Sequence, residues 1–184
     1  MARRIFVFDP PDRFVCGTVG LAGERTFFLQ ATQGQRIVSV ALEKLQVQVL
    51  AERMGAMLNE LQRHGVGAAS EVSLGDDERP LDEPLREEFR VGTIAISWDE
   101  DDEVLMVEAR AQTDEEEDED ALEIDDDDED GPDLVRVRLV PAFARGFVER
   151  AARVVAAGRP PCPFCGQPLD PHGHLCPRRN GYLN

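Results

Sequence analysis

No apolar run in this sequence approaches the roughly 18–20 residues that a membrane-spanning helix needs. The apolar stretch behind the basic start Met1-Ala2-Arg3-Arg4-Ile5 ends at Asp9-Pro10, too early for a secretory signal peptide. The two absences predict a soluble cytoplasmic protein. Positive charge is also scarce. Twenty Lys and Arg stand against 37 Asp and Glu, for a net charge of −17. Without a basic stripe, non-specific nucleic-acid binding by phosphate neutralisation is disfavoured. Cysteine is sparse and uneven: of four, Cys16 stands alone while Cys162, Cys165 and Cys176 fall in the last 23 residues. In an intracellular chain that grouping points to metal binding before disulfides. There is no Ser-His-Asp ordering, no glycine-rich phosphate loop and no paired-carboxylate arrangement, so no catalytic constellation is visible.

What is present suffices for a folded body. A chain of 184 residues with 42% hydrophobic content fits one domain, or one domain with a small appendage. The acidity is local. Between Asp114 and Asp130 lie 14 acidic side chains and no basic one; setting them aside leaves −3 of the −17. The clustered cations Arg145, Arg150, Arg153 and Arg159 alternate with acids and apolar positions.

The most informative pattern is an internal repeat. Val38-Ser-Val-Ala-Leu42 and Val135-Arg-Val-Arg-Leu139 are 97 residues apart, and the same offset relates Glu52-Arg53 to Glu149-Arg150. Upstream, Gly17-Thr18-Val19 resembles Gly92-Thr93-Ile94, and Thr26–Leu29 resembles Glu103–Met106. Alternation predicts three strands per half, at 14–21, 25–32 and 35–42 and again at 89–98, 103–112 and 134–140, with a leading strand at 5–8. Each triplet is followed by an amphipathic helix. The first, 43–64, carries Val47, Leu50, Met54, Met57, Leu58 and Leu61 on one face and stops at Gly65. The second starts at Pro141, a residue suited to a first turn, and carries Phe143, Phe147, Val148, Ala151, Val154 and Val155 to its stop at Gly158. The expected fold is therefore α+β, with duplicated β-β-β-α units forming a pseudo-twofold domain of two meanders covered by their helices. The organisation reads as a first repeat with its leading strand at 1–64, a linker at 65–88, a second repeat at 89–158 and a tail at 159–184.

The second repeat carries an insertion at 113–133 where the first has only Gln33-Gly34 between its second and third strands. So many like charges repel and stay solvated, which predicts a disordered loop. The loop would either solubilise the chain or dock a basic partner. Asp126, Asp128, Asp130 and Gly131 imitate the opening of an EF-hand loop, but the twelfth position, where a bidentate Glu is required, is Val137.

The tail reads Cys162-Pro-Phe-Cys165-Gly, then His172-Gly-His174-Leu-Cys176-Pro. A Cys-x-x-Cys turn closed by glycine offers two thiolates on one knuckle; Cys176 supplies a third and a histidine a fourth, the soft tetrahedral set that zinc takes. His174 is the preferred fourth ligand and His172 the alternative. Four protein ligands make a closed, structural site. A Cys162/Cys165 redox pair would lack a thioredoxin-like setting and leave Cys176 without a role. Asp170 is the only local candidate for a base. Cys16 reads as a buried apolar residue, His64 as a helix-end partner, Trp98 as core or rim, and Asp9–Arg13 as a rigid corner.

Phe8-Asp-Pro-Pro-Asp-Arg-Phe14, Arg25–Ala31, Val38–Lys44, Arg90–Trp98 and the tail from Cys162 to Arg178 together resemble an actinobacterial signature family of unknown function, the ParJ family. The tail is the most specific part, and the family pattern Gly-His-x-Cys-Pro favours His174. The resemblance implies a regulator of the chromosome-partition ATPase ParA; it supplies no catalytic residues. The reading is a non-enzymatic cytoplasmic interaction protein with a structural zinc. Its alternatives are a metal- or cleft-dependent enzyme and, on Arg178 and Arg179 alone, nucleic-acid binding.

Overall fold

The computed structural model describes residues 3–21, 23–65, 77–113, 131–158, 162–166, 176 and 178. Its elements are β1 (Ile5–Phe8), β2 (Arg13–Val19), β3 (Thr26–Gln33), β4 (Arg36–Leu42), α1 (Lys44–Arg63), β5 (Glu87–Asp99), β6 (Val104–Ala111), β7 (Leu134–Leu139) and α2 (Pro141–Ala156). The class is mixed α+β, and each half runs strand, strand, strand, helix, as the patterning predicts. No helix among the described residues is long and apolar enough to cross a membrane.

The seven strands form one sheet, not two, in the order β1-β7-β6-β5-β4-β3-β2. The meanders β2-β3-β4 and β5-β6-β7 are fused by the parallel pairing of β4 with β5, and β1 adds in parallel to β7. β1 and β2 thus occupy opposite edges, although only residues 9–12 separate them. Five Cα steps reach at most about 19 Å, whereas the edges of a flat seven-stranded sheet lie about 29 Å apart. The sheet must therefore curl until its edges meet, and β1 with β2 acts as one bent stave shared between β7 and β3. β5 does the same in one strand. Its first residues, Glu87 to Arg90, lie beside β4, and the rest pairs with β6 after a register shift between Val91 and Ile94.

Register corrects the strand correspondences read from sequence. Phe27 faces Leu42 and Leu105 faces Leu139. With the third strands 97 residues apart, the second strands correspond at an offset of 78, not the 77 implied by Thr26–Leu29 against Glu103–Met106. The glycine match fails as well: Gly17 lies opposite Phe28 inside β2, whereas Gly92 sits at the register shift of β5. Phe14 lies opposite Ala31 and Cys16 opposite Leu29, as Ile94 lies opposite Ala109 and Ile96 opposite Val107. A slip of one residue reverses every side chain, so the strand matches read from sequence would set inward-facing positions against outward-facing ones.

The interior face carries Phe27, Leu29 and Ala31, then Val38, Val40 and Leu42, and in the second half Leu105, Val107, Ala109, Val135, Val137 and Leu139, all buried. Val47, Leu50, Met54 and Leu58 of α1 and Ala144, Phe147 and Ala151 of α2 complete this core. The helices pack on each other, and α2 also lies on β2, where Phe147 stacks on Phe14 with ring centroids 4.7 Å apart. At about 1.5–3 kcal/mol for each large apolar side chain buried, this shared core dominates the stabilisation. Gln46 fixes the start of α1: its Oε1 accepts from the Glu43 amide at 2.8 Å, and its Nε2 donates to the Val91 and Gly92 carbonyls of β5.

Candidate functional site

Arg13 opens β2 at the corner where the bent stave turns, and only 5% of it is exposed. Its Nε donates to Asp77 at 2.5 Å, its Nη1 to Asp82 at 2.7 Å, and its Nη2 to the Arg79 and Pro80 carbonyls at 3.0 Å. From α2, Arg150 reaches the same segment. Its Nε donates to the Cys16 carbonyl at 2.7 Å, its Nη2 to the Arg79 carbonyl at 2.8 Å, and its Nη1 to the Asp77 carbonyl. Gln30, wholly buried on the outer face of β3, donates to the Asp82 carbonyl and to Ser39 Oγ, and accepts from the Asp82 amide. Leu81 lies so close to Gly17 that a Cβ there would stand 2.7 Å from Leu81 Cγ. Residues 77–82, read from sequence as plain linker, are thus tied across the first meander, beside a cavity of about 510 Å³.

The electrostatics follow from this packing. Burial alone would raise the Asp77 pKa, but hydrogen bonds from Arg13 and Arg79 outweigh it and hold the carboxyl far below its usual range. Burial, then the neighbouring Arg13, pull the Arg150 pKa down, partly offset by Asp77. Burial pushes the Cys16 thiol up to about 11, which makes it an inert apolar residue at neutral pH. A carboxylate locked in its charged form is poorly suited to general base work near pH 7. The donors of both guanidiniums are directed at the chain's own atoms.

The described residues hold one cysteine cluster. The Sγ atoms of Cys162, Cys165 and Cys176 all lie within 4.8 Å of one another. Cys162 and Cys176 are buried, with their sulfurs 3.9 Å apart, and all four cysteines of the chain are free thiols. Tetrahedral Zn–S bonds of about 2.3 Å put sulfurs about 3.8 Å apart, so this spacing fits a shared ion. The knuckle is shaped by its backbone. Gly166 adopts φ +76° and donates to the Cys162 carbonyl at 2.8 Å, while the Phe164 amide points to Cys162 Sγ at 3.5 Å. Three close thiolates could hold a metal ion. His174, His172 and Asp170 lie outside the described residues, as does the acidic run 114–130. Val137, the twelfth position of the rejected EF-hand count, is buried in β7.

The cluster around Asp77 escaped the sequence reading, which took Arg150 as one of several cations alternating with acids and apolar positions. A signal was available. Arg150 sits one turn from Phe147 on the apolar stripe of α2, and a cation on such a stripe is buried only with partners. Cys16 and His64 stand where the sequence placed them: Cys16 is wholly buried, and the His64 ring meets Glu60 at the end of α1. Trp98 is partly buried against the core.

A family model described as a protein of unknown function, DUF3090, matches residues 6–176. No curated protein and no solved structure matches the chain.

Proposed function

The chain belongs to the DUF3090 family of proteins of unknown function, and on that premise we propose that it is a non-enzymatic, cytoplasmic regulatory protein that binds other proteins through its barrel-and-helix body. One observation carries this reading. At the cavity of about 510 Å³ the charged side chains Arg13, Asp77 and Arg150 are committed to holding residues 77–82, a structural use of the groups an enzyme would keep for substrate. The two halves, with the same order of strands and helix, are read as copies of one unit. The tail is read as a structural zinc module in which Cys162, Cys165 and Cys176 share the ion with His174, or with His172 in its place.

The resemblance of the sequence to the ParJ family makes the ATPase ParA the first partner to test. Sedimentation of ParA filaments formed with ATP, with and without the chain, tests the assignment. A change in the sedimented fraction at stoichiometric amounts is expected, and an unchanged fraction together with no direct binding would remove it. A metal-dependent enzyme is the second reading, and the partial exposure of Cys165 is the observation on its side. That reading requires an exchangeable water on the metal, whereas a closed three-Cys, one-His site has none.

A further inference from the structure

Cys162 and Cys176 are buried as Cys16 is, at 2% and 0% exposure, yet among the described residues the apolar core that takes in Cys16 does not include them. What gathers them is the turn from Cys162 to Gly166 and the return of the chain at Cys176, whose sulfur lies 3.9 Å from that of Cys162. Arg178 follows, with its Nη1 donating to the Phe164 carbonyl at 3.4 Å. Cys165 differs from both. It is half-buried, and its sulfur lies within 4.8 Å of each of the other two. One accessible thiol beside close neighbours is the arrangement of an attacking cysteine and its resolving partner. The fourth cysteine stands apart: Cys16 is wholly enclosed in β2, and burial pushes its thiol up to about 11.

We infer that the cysteine tail is a reversible switch sensitive to hydroperoxides, in which Cys165 is oxidised first and Cys162 resolves it as a disulfide, a deepening that rests on the structural-zinc reading above. Thiolates that hold a metal are already deprotonated, so access decides which of them is attacked. The Cys165 sulfur attacks the O–O bond of the hydroperoxide. An S–O bond forms, the O–O bond breaks, and the leaving oxyanion takes a proton from solvent. Cys162 Sγ then attacks the Cys165 sulfur; the S–S bond forms, the S–O bond breaks, and hydroxide leaves as water with a second proton. Two thiolates have lost two electrons, the peroxide has gained them, and the metal keeps its oxidation state. Cys162 resolves rather than Cys176 because only Pro163 and Phe164 separate it from Cys165, so closing that loop costs the least entropy. The disulfide removes two of the three thiolates, the remaining ligands are too few to hold the ion, and the tail opens. A dithiol reverses the step by exchange, reducing the disulfide as it is itself oxidised. Cys176 has its role in the reduced state, where the pair needs it to hold the ion. Since the barrel core does not take in Cys162 or Cys176, opening the tail leaves the barrel folded.

The test adds hydrogen peroxide, in about tenfold molar excess, to the reduced, zinc-loaded full chain. Zinc release is followed with a chromogenic chelator, and thiols are mapped by alkylation under denaturing conditions and peptide mass. About one zinc per chain should be released. A Cys162–Cys165 disulfide should form while Cys16 and Cys176 remain alkylatable, and the thermal midpoint of the barrel should not move. Dithiothreitol with added zinc should restore the metal in full. The variant Cys165→His keeps a side chain that zinc accepts but lacks the accessible thiol, and should release zinc at least tenfold more slowly; should it fail to hold zinc, the mapping of the unaltered chain decides alone. Retention of zinc with every thiol intact, a disulfide that omits Cys165, a sulfinic acid at Cys165 in place of a disulfide, or failure to recover would each overturn the inference. A reduced chain without zinc removes the structural-zinc reading and the switch with it; a chain that holds zinc and ignores peroxide removes the switch alone.

Discussion

At the scale of single residues, the most consequential side chains are the polar ones gathered around Arg13 and Arg150. Asp77 has a folded pKa held well below its usual value, so its stabilising contribution is fully present above the unfolded value of about 3.9 and is lost as pH falls through the folded one. Asp77→Asn is therefore expected to cost about 1–3 kcal/mol at pH 7. The gap to wild type should stay constant above about pH 5 and shrink in stronger acid, as urea unfolding at pH 7 and pH 3 would measure. Gly17 is needed for the close approach of Leu81, and Gly17→Ala should destabilise by about 1–3 kcal/mol. Cys16 could be read from sequence because a lone cysteine on an apolar strand has one ordinary use. Arg13 could not: its partners are 64 to 69 residues away, and nothing near it in the chain announces them.

At the scale of elements, strands and helices were legible because each obeys its own period, and Gly65 ends α1 with φ +73° as a stop of that kind does. Register was not legible. Two glycine-containing strands looked alike at Gly17 and Gly92, yet pairing sets them several positions apart, because the shift in β5 leaves no trace in composition. Phe147, stacked on Phe14 and buried to 2% exposure, ties α2 to the barrel, and Phe147→Ala should cost about 3–5 kcal/mol in equilibrium unfolding. The tail depends on chemistry of a different kind. On the proposed structural zinc, the tail folds only around its ion. Metal analysis should find about one zinc per chain. Chelation should release the tail amide signals while leaving the melting of the barrel unchanged. A metal-free tail with an unaltered spectrum would contradict a structural ion.

At the scale of the whole molecule, closure of the sheet is the feature that period and propensity could not foretell. It comes from two parallel pairings between distant strands, β1 with β7 and β4 with β5, and from a four-residue corner too short to span an open sheet. Closure sets α2 over β2, with residues 77–79 lining the cavity between them. In the proposed function the folded body binds a partner while the acidic run tunes the encounter. Association and dissociation kinetics with purified ParA, for the intact chain and for one lacking 114–130, test it at low and physiological salt. Both forms are expected to bind with affinities within about threefold, and the intact chain to associate faster by a margin that salt erodes. No binding by the intact chain would contradict it, and so would binding that vanishes with the acidic run.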